Sequence, residues 1–298
     1  MNIFTIEQMS NLSGLPDTTI LFWQKKYNIF PDIPVTKDKK FKYNSQHLNR
    51  LLNIATLFHL NKKYALENIC GLDDEILKIK VEVELMSNLI TKQLNEDIIN
   101  QLIASILTYD NIRFNLILDS AIKKLTTQEF YKIILFPFFI RILESFYNFK
   151  DLPVQFYFMN SLIVRKLHFL IQLKPSSKTK KEKVLLFLPE KEFNEIGLLF
   201  LNLLFNETGF ETIYLGPNIK FSILEQAIKD LEPDLIFTFN TDKPKHDTYN
   251  NLIKNLGDDL NKLYLVGREE MIESYKLPRN QKFYNIDEYM EFTDQFNI

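Results

Sequence analysis

Between Asp17 and Tyr43 the chain gathers Thr18, Thr19, Gln24, Lys25, Lys26, Tyr27, Lys37, Lys39, Lys40, Lys42 and Tyr43. Lysines at this density suit phosphate neutralisation, while threonine, glutamine and tyrosine side chains can reach base edges or sugar-phosphate oxygens. Enzyme chemistry has no comparable foothold. His47, His59, His168 and His246 are scattered, without i, i+4 pairing or a carboxylate motif, and His47 and His59 are expected on exposed helix faces. No G-x-S-x-G, phosphate-binding glycine loop or G-x-G-x-x-G occurs, and the acidic pairs Asp258-Asp259 and Glu269-Glu270 suit solvated helix ends. Cys70, the single cysteine, reads as a small buried residue. The expectation is a protein with no catalytic residues, no metal and no enzyme activity.

Several elements must hold the polar cluster in place. Thr5 with Gln8 three residues on is a capping-box start for a helix from about Ile6 to Leu12. Gly14, Leu15 and Pro16 end it, and Asp17 is placed to cap a second helix over about Thr18 to Tyr27, so that helix, turn and helix fit within some twenty residues. Asn28 to Tyr43, with Pro31, Pro34 and the run Lys37, Asp38, Lys39, Lys40, predicts a β-hairpin wing. Ser45 is placed to cap a longer helix through Leu48, Leu51, Leu52, Ala55 and Leu57, and a short helix ends near Gly71. Residues 1–66 carry nine basic and four acidic side chains, a net of +5, leaving −7 for the rest of a chain that totals −2. A basic head on an acidic body suits double-stranded DNA as partner.

Beyond Gly71 the pattern stays helical for a hundred residues: Asp74 to Leu94, Asp97 to Tyr109, Ile112 to Leu125, Thr127 to Tyr147 with a kink or break at Pro137, and Pro153 to Leu173. These predict an all-α bundle over 73–173. The polar stretch Lys174 to Lys183 predicts a linker. After it, apolar runs at Val184–Leu188, Thr212–Leu215, Leu235–Phe239 and Leu263–Val266, and a last one near Phe283, alternate with amphipathic helices. That alternation predicts parallel βαβ units in a flavodoxin-like doubly wound sheet over 184–298. The whole is a multidomain α and α/β chain with three modules, 1–72, 73–173 and 184–298. No leader-like N-terminus and no run of about 18 apolar residues is present, so a cytoplasmic protein that does not meet membranes is expected.

Phe22-Trp23-Gln24-Lys25-Lys26-Tyr27 resembles the W-E-R-R-Y segment of MerR-type regulators, and the resemblance covers residues 3–71. It implies a winged helix-turn-helix acting as a homodimer or homotetramer, with the second helix in the major groove and the wing on the backbone. Trp23 is expected in the core. Two positions depart from the family: Leu21 and Phe41 stand where arginines are usual, so lysines and small polar side chains must carry recognition.

The remaining 220 or so residues, with GFETIYLGPN at Gly209–Asn218, resemble the cobalamin-binding pair of light-sensing MerR-type repressors and of methionine synthase. In that family the vitamin lies between bundle and sheet, and a histidine after the first strand ligates cobalt. Here the loop reads Glu192-Phe193-Asn194-Glu195-Ile196-Gly197, and an amide is a weak cobalt ligand beside imidazole. The serine and threonine that would meet the nucleotide tail become Thr238 and Asn240, the paired glycines become Gly267 and Arg268, and the residues over the upper face become Phe146, Phe156 and Tyr157. The expectation is a cobalamin fold whose pocket is filled by Phe146, Phe156, Tyr157 and Phe193, so that no cofactor is held. Open alternatives are an unknown small-molecule ligand at the switch-point crevice, unusual cobalamin binding in a sensor or methyl carrier, and a protein-interaction module.

Overall fold

The computed structural model describes residues 3–33, 41–61, 64–88, 95–146, 154–173, 182–240 and 248–294. It divides into two compact units, Met1–Met159 and Asn160–Ile298.

The first unit opens with β1 (Ile3–Phe4) and α1 (Ile6–Ser13). The capping box at Thr5 forms: the Gln8 amide donates to Thr5 Oγ1 at 3.2 Å and the Thr5 amide to Gln8 Oε1 at 2.8 Å. Gly14 ends α1 at φ 70°, a left-handed conformation that glycine adopts without Cβ strain. In α2 (Asp17–Tyr27) the sequence expectation needs correction. Pro16 is the residue before the helix, and Asp17 lies inside its first turn, accepting from the Thr18 amide at 2.7 Å. Proline's fixed φ already sets the extended entry, which leaves Asp17 to complement the helix dipole.

β2 (Tyr43–Asn44) runs antiparallel to β1, with Phe4 opposite Tyr43 and Ile3 opposite Asn44. The wing tip, Pro34 to Lys40, lies outside the described residues. α3 (Ser45–Leu60) is capped by Asn44 and not by Ser45: the His47 amide donates to Asn44 Oδ1 at 2.9 Å, and the Asn44 amide to His47 Nδ1 at 3.1 Å. His47 is therefore half-buried against Phe30 and Tyr43, where an exposed position was expected. Burial pushes its pKa down, against the pull of Asp32 and Asp74. α4 (Leu66–Cys70) follows, with Cys70 buried.

Arg50, counted above among the basic charges, is an internal clip. Its guanidinium donates to the carbonyls of Ile29 (2.7 Å), Leu72 (3.0 Å) and Cys70 (2.7 Å) and pairs with Asp74. One side chain so ties the loop after α2 to the end of α4 and the start of the next helix.

The bundle continues through α5 (Asp74–Asn88), α6 (Asn95–Leu107), α7 (Asn111–Ile122), α8 (Thr127–Phe130) and α9 (Phe136–Phe146). The expected division at Pro137 takes the form of a π-helical turn at Tyr131–Leu135, just before the residue whose missing N–H and bulky ring disturb the preceding turn. Winged head and bundle share one buried and one partly buried polar contact. Gln101 Nε2 on α6 donates to Thr56 Oγ1 on α3 at 2.8 Å, and Gln8 Nε2 on α1 to the Ser145 carbonyl on α9 at 2.8 Å.

α10 (Val154–Leu173) runs from the first unit into the second. The sheet of the second unit is built from β3 (Lys183–Pro189), β4 (Glu211–Ile219), β5 (Leu235–Asn240), β6 (Leu263–Gly267) and β7 (Lys282–Phe283). Lys183, placed in the linker above, is the first residue of β3 and donates its amide to Asp234. All four pairings are parallel, in the order β4-β3-β5-β6-β7, which is the doubly wound flavodoxin-like order. α11 (Ile196–Glu207), α12 (Phe221–Leu231), α13 (Thr248–Asn255), α14 (Glu269–Ile272) and α15 (Ile286–Asp294) complete it.

The two faces of this sheet differ. Leu185, Phe187, Ile236 and Leu265 pack with Leu224 and Ile228 of α12 and Leu252 of α13. The other face is aromatic: Phe237, Tyr264 and Phe283 stack across β5, β6 and β7 within 13° of parallel, closed by Phe205 of α11 and by Tyr289 and Phe292 of α15.

Candidate nucleic-acid interface and the edge of the sheet

α2 separates folding from display. Ile20 and Trp23 are buried, Trp23 meeting Phe58 of α3 edge-on at 5.8 Å, which places the tryptophan in the core as expected. Thr18, Leu21, Phe22, Lys25 and Lys26 are exposed on the opposite side, and Thr19 and Tyr27 are half-buried at its margin. Lys26 Nζ lies 5.5 Å from the Phe22 ring and 5.1 Å from the Tyr27 ring, within cation–π range. Lys42 is exposed beside β2. Lys37, Lys39 and Lys40 lie outside the described residues.

Two expected contact residues are corrected. Gln24 accepts from the Phe30 amide at 2.8 Å, donates to the Phe30 carbonyl at 3.2 Å and reaches Asn28 Oδ1 at 3.3 Å, so its amide fixes the turn after α2 and is not offered to a base. Tyr43 is 1% exposed, packed with Phe30, Phe41 and His47, and its hydroxyl has no hydrogen-bond partner among the described residues. Burial holds its phenol at a pKa of about 12. It supports the wing from inside. The centre of the exposed face is apolar, Leu21 and Phe22, with Lys25 and Lys26 at its C-terminal end.

At the C-terminal edge of the sheet the loop from β3 to α11 is held by the G-P-N segment of β4. Asn218 Oδ1 accepts from the Lys191 amide at 2.9 Å, and the Asn218 amide donates to the Glu192 carbonyl at 3.0 Å. Glu192 is buried, and Asn194 presents a buried Oδ1 without a hydrogen-bond partner among the described residues. Glu195 accepts from the Tyr214 hydroxyl at 2.6 Å, which together with burial raises the phenol's pKa. Thr238 and Asn240 are buried; Asn240 Nδ2 donates to the Tyr275 hydroxyl at 3.2 Å. Arg268 turns outward to pair with Glu270 at 3.1 Å.

The expected plug is corrected as well. Phe193 is 67% exposed and Tyr157 65% exposed, so neither fills a cavity. Phe156 is half-buried with its ring edge-on to Tyr157, and Phe146 ends α9, its side chain outside the described set. The half-buried Phe239 lies against Gly197. A Cβ added at Gly197 would lie 2.6 Å from its ring, and one at Gly267 would lie 2.5 Å from the Asn240 carbonyl oxygen. The glycines are covered by this chain's own atoms, and where a cobalt-ligating imidazole would be needed stands an amide. An amide is a weaker ligand for cobalt than an imidazole.

A winged helix-turn-helix joined to a helical bundle, followed by a doubly wound sheet, defines a two-part class of protein. Residues 4–73 match the family model described as MerR HTH family regulatory protein, so the chain carries a MerR-type helix-turn-helix. No curated protein matches the chain. Among solved structures, a monomethylamine corrinoid protein of Methanosarcina barkeri is similar with a TM-score of 0.51 and 13% identity, over 70% of this chain and 99% of that one. A cobalamin-binding protein from Desulfitobacterium hafniense (TM-score 0.33, 17% identity, 64% of this chain and 95% of that one) is a more distant match. So is a methanol:cobalamin methyltransferase complex from Methanosarcina barkeri (TM-score 0.30, 12% identity, 76% and 98%). The first likeness is one of fold. No described helix is long and apolar enough to cross a membrane.

Proposed function

We propose that the protein is a sequence-specific, non-enzymatic DNA-binding transcriptional regulator of the MerR type, acting as a homo-oligomer, whose cobalamin-like module no longer binds cobalamin through a histidine ligand and serves assembly or another signal. The observation that carries this is the division of α2: Ile20 and Trp23 anchor it, while Thr18, Lys25 and Lys26 are exposed on the outer face of a segment that matches the MerR model. That face suits the major groove, with lysines at the helix end placed for phosphates.

The test is a gel shift on the DNA upstream of the protein's own gene at rising salt. Retarded complex at low salt, weakening with a steep dependence on log salt, is expected. No complex at low salt would favour a protein-interaction module, to which exposed Leu21 and Phe22 are also suited. For the second unit, purified protein incubated with adenosylcobalamin and desalted is expected to be colourless; a retained red chromophore would overturn that part.

A further inference from the structure

Thr18, Leu21, Phe22 and Lys25 are spaced i, i+3, i+4, i+7, and all four are exposed, so they form one stripe along α2. Its two ends are polar, threonine at the N-terminal end and Lys25 at the C-terminal end with Lys26 beside it. Its centre is a leucine at 39% and a phenylalanine at 53% exposure. Folding does not require them to be apolar, because Ile20 and Trp23 already supply the buried side of the helix. The Phe22 ring is nevertheless held, edge-on to Tyr27 at 6.4 Å with Lys26 Nζ above it. A ring fixed before docking loses little entropy when it docks.

The occupant of such a face must be anionic at its margins and apolar at one or two points in the middle. The floor of the major groove meets that description where it carries thymine: the 5-methyl group is the apolar feature among the base edges displayed there, and phosphates flank it. We infer that Leu21 and Phe22 read thymine 5-methyl groups, so that the preferred DNA site carries thymines beneath the middle of α2. This rests on the DNA-binding reading above and deepens it. It also gives a role to Leu21 where an arginine would have made hydrogen bonds to guanine or phosphate.

The full-length protein is used to select duplexes from a random-sequence pool, and the preferred duplex is then synthesised twice, with thymine and with uracil throughout. Uracil keeps every hydrogen-bonding edge and phosphate and lacks only the methyl. The wild-type protein is expected to bind the thymine duplex more tightly by about fourfold for each methyl covered, the worth of one buried methylene-sized group. Leu21→Ala and Phe22→Ala should each weaken binding to the thymine duplex and narrow the gap, and the double variant should bind both duplexes equally. Because both side chains are exposed, the variants should unfold at the wild-type temperature; Leu21→Gln, which keeps helix propensity, is the substitute should an alanine variant not do so.

Equal binding of thymine and uracil duplexes by a wild-type protein that has selected a sequence overturns the methyl-reading inference and leaves the DNA-binding function standing. A double variant that still prefers thymine overturns it too, by assigning the preference to uracil's effect on the duplex or to other residues. Failure to select any sequence removes the inference together with the reading on which it rests.

Discussion

The exposed side of α2 and the C-terminal edge of the sheet are both places where secondary structure could present side chains to a ligand, yet they are built in opposite ways. On α2 the side chains that secure the helix and those that face outward are different residues, Ile20 and Trp23 against Thr18, Leu21, Phe22 and Lys25. At the sheet edge the same atoms do both: Phe239 covers Gly197, the Asn240 carbonyl covers Gly267, and Asn218 fastens Lys191 and Glu192. A surface free of folding duty can exchange arginine for leucine and remain a surface. At an edge packed in this way, an added methyl must displace the chain's own atoms.

The comparison is broken most severely by substitutions that should be costly at one place and free at the other. Gly267→Ala would put a Cβ 2.5 Å from a backbone oxygen in the neighbouring strand and 3.0 Å from Ile272 Cγ2, so a strand must shift. An overpacking loss of about 3 kcal/mol in chemical denaturation is expected, against less than about 0.5 kcal/mol for Phe22→Ala. Gly197→Ala sharpens the same point, since there the obstacle is one ring: its cost should fall in the presence of Phe239→Ala, and two additive losses would show that Phe239 is not what fills the edge.

A smaller effect tests whether α2 is as cleanly divided as its exposure suggests. Gln24 sits between the two sides and uses its amide on Phe30. Gln24→Ala leaves the partly buried Phe30 backbone groups without this partner, and a loss of about 1–2 kcal/mol is expected. Under conditions where the variant is fully folded its DNA affinity should stay within about twofold of wild type, well below the tenfold that 1.4 kcal/mol of a lost base contact would produce. A larger drop with unchanged stability would return Gln24 to the interface.

These cases also mark what the sequence could tell. The helix-turn-helix, the Thr5 capping box, the core position of Trp23 and the strand–helix alternation after Lys183 follow from spacings of one to four residues and from local apolar runs, and each is where it was expected. The exchange of Asn44 for Ser45 as cap is a local error, made because serine and asparagine cap almost equally well and the strand pairing of Asn44 with Ile3 was not visible. Arg50, Tyr43 and Phe239 depend on contacts distant in sequence. Arg50 binds carbonyls 20 to 22 residues away, Tyr43 is covered by a strand from the chain's start, and Phe239 meets a glycine 42 positions earlier. Residue type predicts charge and bulk; only the tertiary fold decides whether they are used inside or outside.

The smallest effect concerns the seam between winged head and bundle, which keeps the open face of α2 attached to the rest of its unit. Asp97 on α6 is 2% exposed and lies 2.6 Å from His59 Nδ1 on α3. Burial raises its carboxyl pKa to about 6 from 3.8; the His59 hydrogen bond and charge oppose the rise, and neighbouring Glu96 adds to it. A carboxyl with a raised pKa holds its proton more tightly folded than unfolded, so its contribution to stability declines as pH climbs from about 4 through 6, and the cost of the ionised form is complete above that. Asp97→Asn has no proton to lose. Relative to wild type it should therefore gain on the order of 1 kcal/mol between pH 5 and pH 8, read as the difference in unfolding free energy of the two proteins at each pH. Gly267→Ala at the sheet edge, which brings in no titrating group, is expected to differ from wild type by the same amount at both pH values. If Asp97→Asn also keeps a constant difference, the His59 pair stabilises the carboxylate enough to cancel its burial, and the seam between head and bundle is a fully compensated ion pair instead of a strained one.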